Sequence, residues 1–104
     1  MVVVRDVFQA KYGKGDELVQ LFKVFYERMP DKFAADTRLY TDLSGPFFTI
    51  VTETEVESMD AYEKMLEEGF TDPEFGQWFS QMAEIVESGH REYYTLQASY
   101  PVRR

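Results

Sequence analysis

Residues 37–56 read TRLYTDLSGPFFTIVTETEV, and the fold of this chain turns on that stretch. Asp42-Leu43-Ser44-Gly45-Pro46 is a dense turn signal, because glycine, proline, serine and aspartate each favour tight reversal of the backbone. It lies between two runs rich in β-branched and aromatic residues, Thr37 to Leu43 and Phe47 to Val56. Two such runs around one turn predict a β-hairpin. In the second run Phe48 and Ile50 share one side, while Phe47, Thr49, Val51 and Glu53 share the other.

The flanks of the hairpin are helical in pattern. Upstream, Leu18, Leu21, Phe22, Phe25 and Met29 fall on one helical stripe, with Asp16 as the expected N-cap and Pro30 as the stop. Downstream, Ser58 is expected to cap a helix with Met59, Tyr62, Met65 and Leu66 inward, ended at Gly69. Asp72-Pro73 restarts the helix, with Phe75, Trp78, Phe79, Met82, Ile85 and Val86 inward and Gly89 closing it. At the ends of the chain the period changes to two. Val2 to Ala10 is apolar on both phases, as in a strand covered on both sides. His90 to Tyr100 is expected to set Tyr94, Leu96 and Ala98 against Arg91, Tyr93, Thr95 and Gln97. The order is β-α-β-β-α-β, an α+β ferredoxin-like domain: a four-stranded antiparallel sheet with helices on one face.

At 104 residues the chain is expected to form one domain, residues 1–104. The net charge of −8 comes wholly from residues 53–104, since the first 52 carry seven acids and seven bases. An acidic surface is repelled by phosphate backbones and anionic lipid, so nucleic-acid and membrane-surface partners are not expected. With no cysteine there is no disulfide, thiolate catalysis or zinc–thiolate site, and the cytoplasm is the default compartment.

If Phe8, Leu39, Phe48, Ile50, Tyr94, Leu96 and Ala98 face the helices, the other face carries Val3, Val7, Arg38, Tyr40, Phe47, Thr49, Val51, Tyr93 and Thr95, with Arg5, Gln9, Glu53 and Gln97. That is too apolar for a wet sheet face and too polar for an isolated core. A second copy packed sheet to sheet accounts for both properties, and the expected partner is the chain itself, as a homodimer. A one-residue slip in any strand exchanges the two sets.

The segments Val4-Arg5-Asp6-Val7-Phe8-Gln9-Ala10-Lys11, Gly15-Asp16-Glu17-Leu18 and Leu39-Tyr40-Thr41-Asp42-Leu43-Ser44-Gly45-Pro46-Phe47 resemble those of the NIPSNAP-like branch of the dimeric α+β-barrel superfamily. The resemblance spans nearly the whole chain as a pattern of strand, turn and cap residues. It implies the ferredoxin-like fold and the sheet-to-sheet dimer. The superfamily also holds cofactor-independent antibiotic-biosynthesis-type monooxygenases, haem-degrading enzymes and small isomerases, and no active-site motif of those branches transfers position by position.

The residues that carry chemistry are few. His90 is the only histidine, so a two-histidine metal site within one chain is excluded. Glu53, Glu55 and Glu57 alternate at strand spacing without the loop chemistry of a cation site, and read as a solvated strand end. Trp78 with Phe22, Phe25, Tyr26, Phe75, Phe79 and Met82 is either a packed core or the lining of an apolar pocket between helices and sheet. Arg38, Tyr40, Arg91 and Tyr93 are anchors for a carboxylate or phenolate, and His90, Tyr40 and Arg91 are the candidate catalytic groups. No Walker motif, Gly-x-Gly-x-x-Gly or Ser-His-Asp spacing is present, and no cofactor or metal is called for.

Two readings of function stay open, and the sequence does not decide whether the chain is an enzyme. In the first, a homodimer binds a small hydrophobic or aromatic molecule, with cofactor-independent monooxygenase-like chemistry as the candidate activity. In the second, it is a non-catalytic structural or interaction module of the NIPSNAP-like type. Haem binding is a third. If a ligand binds, it is expected between the sheet and the second helical segment, beside Trp78.

Overall fold

The computed structural model describes residues 1–28 and 35–102. Its elements run β1 (Val2–Ala10), α1 (Gly15–Arg28), β2 (Asp36–Thr41), β3 (Thr49–Val56), α2 (Met59–Phe70), α3 (Pro73–Ile85) and β4 (Val86–Thr95). The four strands form one antiparallel sheet in the order β2-β3-β1-β4, the ferredoxin-like α+β arrangement read from the sequence. Among the described residues no helix is long and apolar enough to cross a membrane.

Local chemistry explains most of the element ends. The Ser58 hydroxyl accepts from the Ala61 amide at 3.1 Å and starts α2. Asp72 accepts from the Glu74 amide at 2.9 Å and starts α3, with Pro73 at the first helical position. α1 begins one residue before its expected cap, at Gly15, so Asp16 lies in the first turn, where its charge opposes the positive helix end. Met29 and Pro30, the expected end of that helix, lie outside the described residues. α2 runs through Gly69 to Phe70, and the Thr71 hydroxyl donates to the Glu68 carbonyl at 2.8 Å.

The hairpin forms around Asp42, whose amide donates to the Thr49 carbonyl at 3.1 Å while its carboxylate accepts from the Thr49 amide at 3.0 Å. Its strands are shorter than expected. β2 ends at Thr41 and β3 begins at Thr49, because Phe48 turns the chain with a φ of 60°. That left-handed backbone costs about 1–2 kcal/mol for a residue with a side chain. Its ring packs edge-on to Tyr12 at 5.1 Å and over Gly15, where a Cβ would lie 2.9 Å from Phe48 Cδ1. Phe47, expected on the outer sheet face, is instead in the loop and 71% exposed.

The last strand departs furthest from expectation. β4 starts at Val86, not His90, and ends at Thr95, so Leu96 and Ala98 are not strand residues. A register irregularity between Gln9 and Ala10 brings Val86 opposite Ala10. Gly89 is not a helix terminator: it lies within the strand opposite Phe8, and its φ is outside the left-handed region. A Cβ there would lie 3.1 Å from the Val7 carbonyl and 3.2 Å from Phe8 Cδ1. The phase of β4 is consequently opposite to the expected one. Gly89, Arg91, Tyr93 and Thr95 are paired with Phe8, Asp6, Val4 and Val2 and share their helix-facing side, whereas His90, Glu92 and Tyr94 face out.

The core sits between the sheet and the helices. Leu18 of α1 and Ile50 of β3 are fully buried, with Ala10, Phe22, Met82 and Ile85 around them. A second cluster of Val4, Val56 and Tyr62 lies under α2. Replacing Gly89 by valine forces a side chain into the space of Phe8 and should lower the unfolding free energy by roughly 1–3 kcal/mol, measured by urea denaturation.

Candidate functional site

Between the two core clusters the helices do not close on the sheet. They leave a cavity of about 740 Å³ bounded by α1, α2, α3 and the helix-facing side of all four strands. Its walls are mainly aromatic and aliphatic: Leu21, Val24, Phe25 and Tyr26 from α1, Tyr62, Met65 and Leu66 from α2, and Phe75, Trp78, Phe79 and Met82 from α3. Helical periodicity puts the α2 and α3 side chains on one stripe of each helix, while Val24 and Tyr26 flank the Leu21 and Phe25 stripe of α1. Phe25 lies 4.6 Å from Trp78 between ring centroids and 5.8 Å from Phe75. The indole is held by its own polar atom, Trp78 Nε1 donating to the Leu21 carbonyl at 2.8 Å. Its ring face is therefore presented at a fixed angle.

The floor is polar. β1 alternates, and its helix-facing phase reads Val2, Val4, Asp6, Phe8, Ala10, so a carboxylate is carried into an otherwise apolar row. Arg91 stands directly opposite on β4 and meets it with two bonds, Nε to Oδ1 at 2.5 Å and Nη2 to Oδ2 at 3.2 Å. Two parallel charge-assisted bonds of this kind hold both side chains in one geometry. The guanidinium lies 5.5 Å over the Tyr62 ring, and the Asp6 bond pushes the Arg91 pKa further up, so it stays cationic. Thr37 and Thr54 complete the floor, their hydroxyls 3.2 Å apart.

Two phenols flank this pair. Burial pushes Tyr26 up to about 12, against the lowering effect of its hydrogen bond with buried Thr52. Burial also pushes Tyr62, only 4% exposed, up to about 12, with the positive charge of Arg91 opposing the shift. Both phenols are neutral at physiological pH and available as hydrogen-bond donors. Acidic groups outnumber basic ones at the outer margin, where Glu17, Asp72 and Glu74 stand with Arg28. That disfavours strongly anionic ligands.

Trp78, Phe25, Phe79, Met82 and Arg91, singled out from the sequence, all line the cavity. Phe22 is in the core behind it, 5.3 Å from Trp78 between ring centroids. Arg38, Tyr40 and His90 are on the opposite face of the sheet, with Tyr40 paired to Val51 and His90 to Val7. The expectation that Arg38, Tyr40, Arg91 and Tyr93 share a face therefore fails: the phase of β4 turns Arg91 and Tyr93 inward. His90 instead lies 3.3 Å from Glu92, which also accepts from the Tyr94 hydroxyl at 2.9 Å. The Tyr94 bond, with His90 adding to it, holds the Glu92 carboxyl below its ordinary pKa. Glu53 and Glu55 are on that outer face too, and among the described residues no three acidic or histidine side chains converge on a metal position.

Sequence reasoning missed Asp6 and Tyr62, whereas Tyr26, read as a lining residue, does line the cavity. A lone acid on the inward phase of a strand was the available signal for Asp6, since an unpaired charge there is costly. Tyr62 carries no such mark, because a phenol in a helical stripe reads equally well as core.

No family model matches the sequence, and no curated protein matches it. Solved structures do. A NIPSNAP family protein from Agrobacterium tumefaciens str. C58 is similar with a TM-score of 0.86 at 14% identity, covering 98% of each chain. An uncharacterized NIPSNAP domain protein from Burkholderia xenovorans reaches a TM-score of 0.80 at 16% identity, over 98% of this chain and all of the other. SnoaB, a cofactor-independent oxygenase from Streptomyces nogalater, in a mutant form, reaches 0.70 at 16% identity, over 97% of each chain. The chain shares the fold of the NIPSNAP and antibiotic-biosynthesis-monooxygenase proteins, and the resemblance read from its strands and turns holds at that level.

The two phenols set an alkaline limit on the site. An unfolded tyrosine ionises near 10 and these two near 12, so they leave stability unchanged below pH 10 and reduce it as pH rises from about 10 to about 12, by ~2–3 kcal/mol for each. Tyrosinate absorbance at 295 nm should lose a component titrating near pH 12 in Tyr26→Phe and again in Tyr62→Phe, relative to the unsubstituted chain.

Proposed function

We propose that this chain binds a small, largely apolar, ring-bearing molecule in the cavity between helices and sheet. The observation that carries the reading is the combination of a fixed aromatic wall, Phe25, Phe75 and Trp78, with a floor of Asp6, Arg91 and two neutral phenols. Apolar walls with a few convergent polar groups are the common form of small-molecule sites. The paired floor carries no net charge, which suits a carbonyl or hydroxyl on the ligand better than a free carboxylate.

The fold likeness to SnoaB makes cofactor-independent oxygenation of an aromatic compound the first reaction to assay. In such a reaction the substrate is itself the electron donor: it loses a C–H proton, its anion adds to O₂ and takes the proton back as a hydroperoxide, and loss of water leaves a carbonyl. Asp6 is the carboxylate of the floor, and Arg91 and the Tyr62 phenol are donors for the resulting oxyanion. The non-catalytic reading has an observation of its own: both Asp6 oxygens are bonded to Arg91, which weakens Asp6 as a base. The chain would then be a ligand-binding or interaction module in the manner of the NIPSNAP-like proteins it resembles.

We also propose a homodimer through the outer sheet face. Val3, Val7 and Val51 are incompletely buried there, and Tyr40 and Tyr94 are exposed beside them. A patch of this kind in a single chain marks an association surface.

Titration with 1-naphthol, followed by Trp78 emission and by calorimetry, tests the site. Binding should change the emission, and Phe25→Ala should weaken affinity roughly tenfold, as expected for loss of one aromatic contact. Heat of binding with no change in Trp78 emission would place the ligand elsewhere. Sedimentation of the unsubstituted chain should give a dimer and Val51→Lys a monomer, because the substitution buries an unpaired charge; a monomeric unsubstituted chain overturns the dimer.

A further inference from the structure

One row of charged residues crosses the outer face on all four strands. In the strand register Arg38 of β2 is opposite Glu53 of β3, Glu53 is opposite Arg5 of β1, and Arg5 is opposite Glu92 of β4. The signs alternate across the sheet: positive, negative, positive, negative. Within the chain this row is incompletely paired. Arg5 Nε approaches Glu92 Oε1 at 3.6 Å, an ionic contact too long for a hydrogen bond, and that nitrogen has no hydrogen-bond partner. Among the described residues Glu53 and Arg38 form no salt bridge. Beside the row lies an apolar one, in which Val51 is opposite Val7, flanked by Tyr40 and His90.

We propose that the alternating row sets the orientation of the face-to-face homodimer, with the two-fold axis running along the strands between β3 and β1. The inference rests on the dimer proposed above. A rotation about that axis carries β3 over the β1 of the second copy and β2 over its β4. Glu53 of each copy then meets Arg5 of the other, and Arg38 meets Glu92. A two-fold axis along the row would instead lay each residue on its own copy, Arg5 on Arg5 and Glu53 on Glu53, which like-charge repulsion opposes. The favoured rotation also stacks Val51 on Val7 and joins the apolar rows into one strip.

An even alternating row read backwards is its own complement. That property fits a second copy of this chain, and it gives no single-sign field to attract a polyanion. Buried ion pairs repay little of their desolvation, so the valines supply the apolar burial and the charges supply the choice of orientation. Aligned sheets cross at about 30°, which displaces the outer pairs more than the inner ones. Glu53 with Arg5 therefore carries most of the selection.

The test uses Arg5→Glu and Glu53→Arg, each alone and then mixed in equal amounts, in sedimentation velocity. Far-UV circular dichroism checks that each variant is folded. Each variant alone places like charges across the axis and should weaken the dimer by at least about tenfold. In the mixture the acid at position 5 of one chain meets the base at position 53 of the other, while native Glu53 meets native Arg5, so a heterodimer should form. If the unsubstituted chain is a monomer, the dimer itself fails and this inference with it. If the chain is a dimer but both variants still dimerise as tightly, the row takes no part. If both variants are monomers and mixing restores nothing, Arg5 and Glu53 do not pair between copies and the inference fails.

Discussion

β1 is hydrogen-bonded on both edges, to β3 through Val2–Gln9 and to β4 through Val2–Ala10, and every other feature is arranged around that central strand. Because its side chains alternate, it sorts the molecule into two environments. Val4, Asp6, Phe8 and Ala10 go to the helices, and Val3, Arg5, Val7 and Gln9 go to the outer face. Once β1 is placed, the register of its two neighbours decides which residues meet across each face. Asp6 meets Arg91 on one side and Arg5 meets Glu53 and Glu92 on the other.

The helix-facing side carries the same tension between burial and charge in a small space. Asp6 is a carboxylate whose side chain is only 18% exposed, in a row that otherwise holds valine, phenylalanine and alanine. Such a group is tolerated when it is paired, and the two-pronged bond to Arg91 supplies the pairing. Tyr62 closes over the guanidinium. The helices then pack the sheet around this polar centre at both ends, through Leu18 and Ile50 at one and Val4, Val56 and Tyr62 at the other. The opening between the two clusters is where a ligand has room.

Local signals were legible wherever the chemistry was local. Ser58 and Asp72 announce their helices because a cap is a contact between near neighbours. Asp42 to Pro46 announces the hairpin for the same reason, and the phases of β2 and β3 follow from alternating apolar residues. The aromatic lining Phe25, Trp78, Phe79 and Met82 was visible as helical stripes, although a stripe alone does not distinguish lining from core. Asp6 and Tyr62 were harder, because their meaning lies in what stands opposite them in space.

The order of elements, the placement of the turn, two helix starts and the α+β class are written along the chain. Each depends on residues within about one turn of helix or one strand, where propensity and capping act. Where β4 begins and which way it faces depend on its pairing with β1. Val86-Glu87-Ser88-Gly89 continues a helical stripe as read along the chain, yet Val86, Ser88 and Gly89 pair with Ala10, Gln9 and Phe8 across the sheet. A strand with polar and apolar residues on both phases has no preferred face of its own, so its partner chooses. That choice brings Arg91 to Asp6, 85 residues away in the chain, and turns His90 and Tyr94 outward.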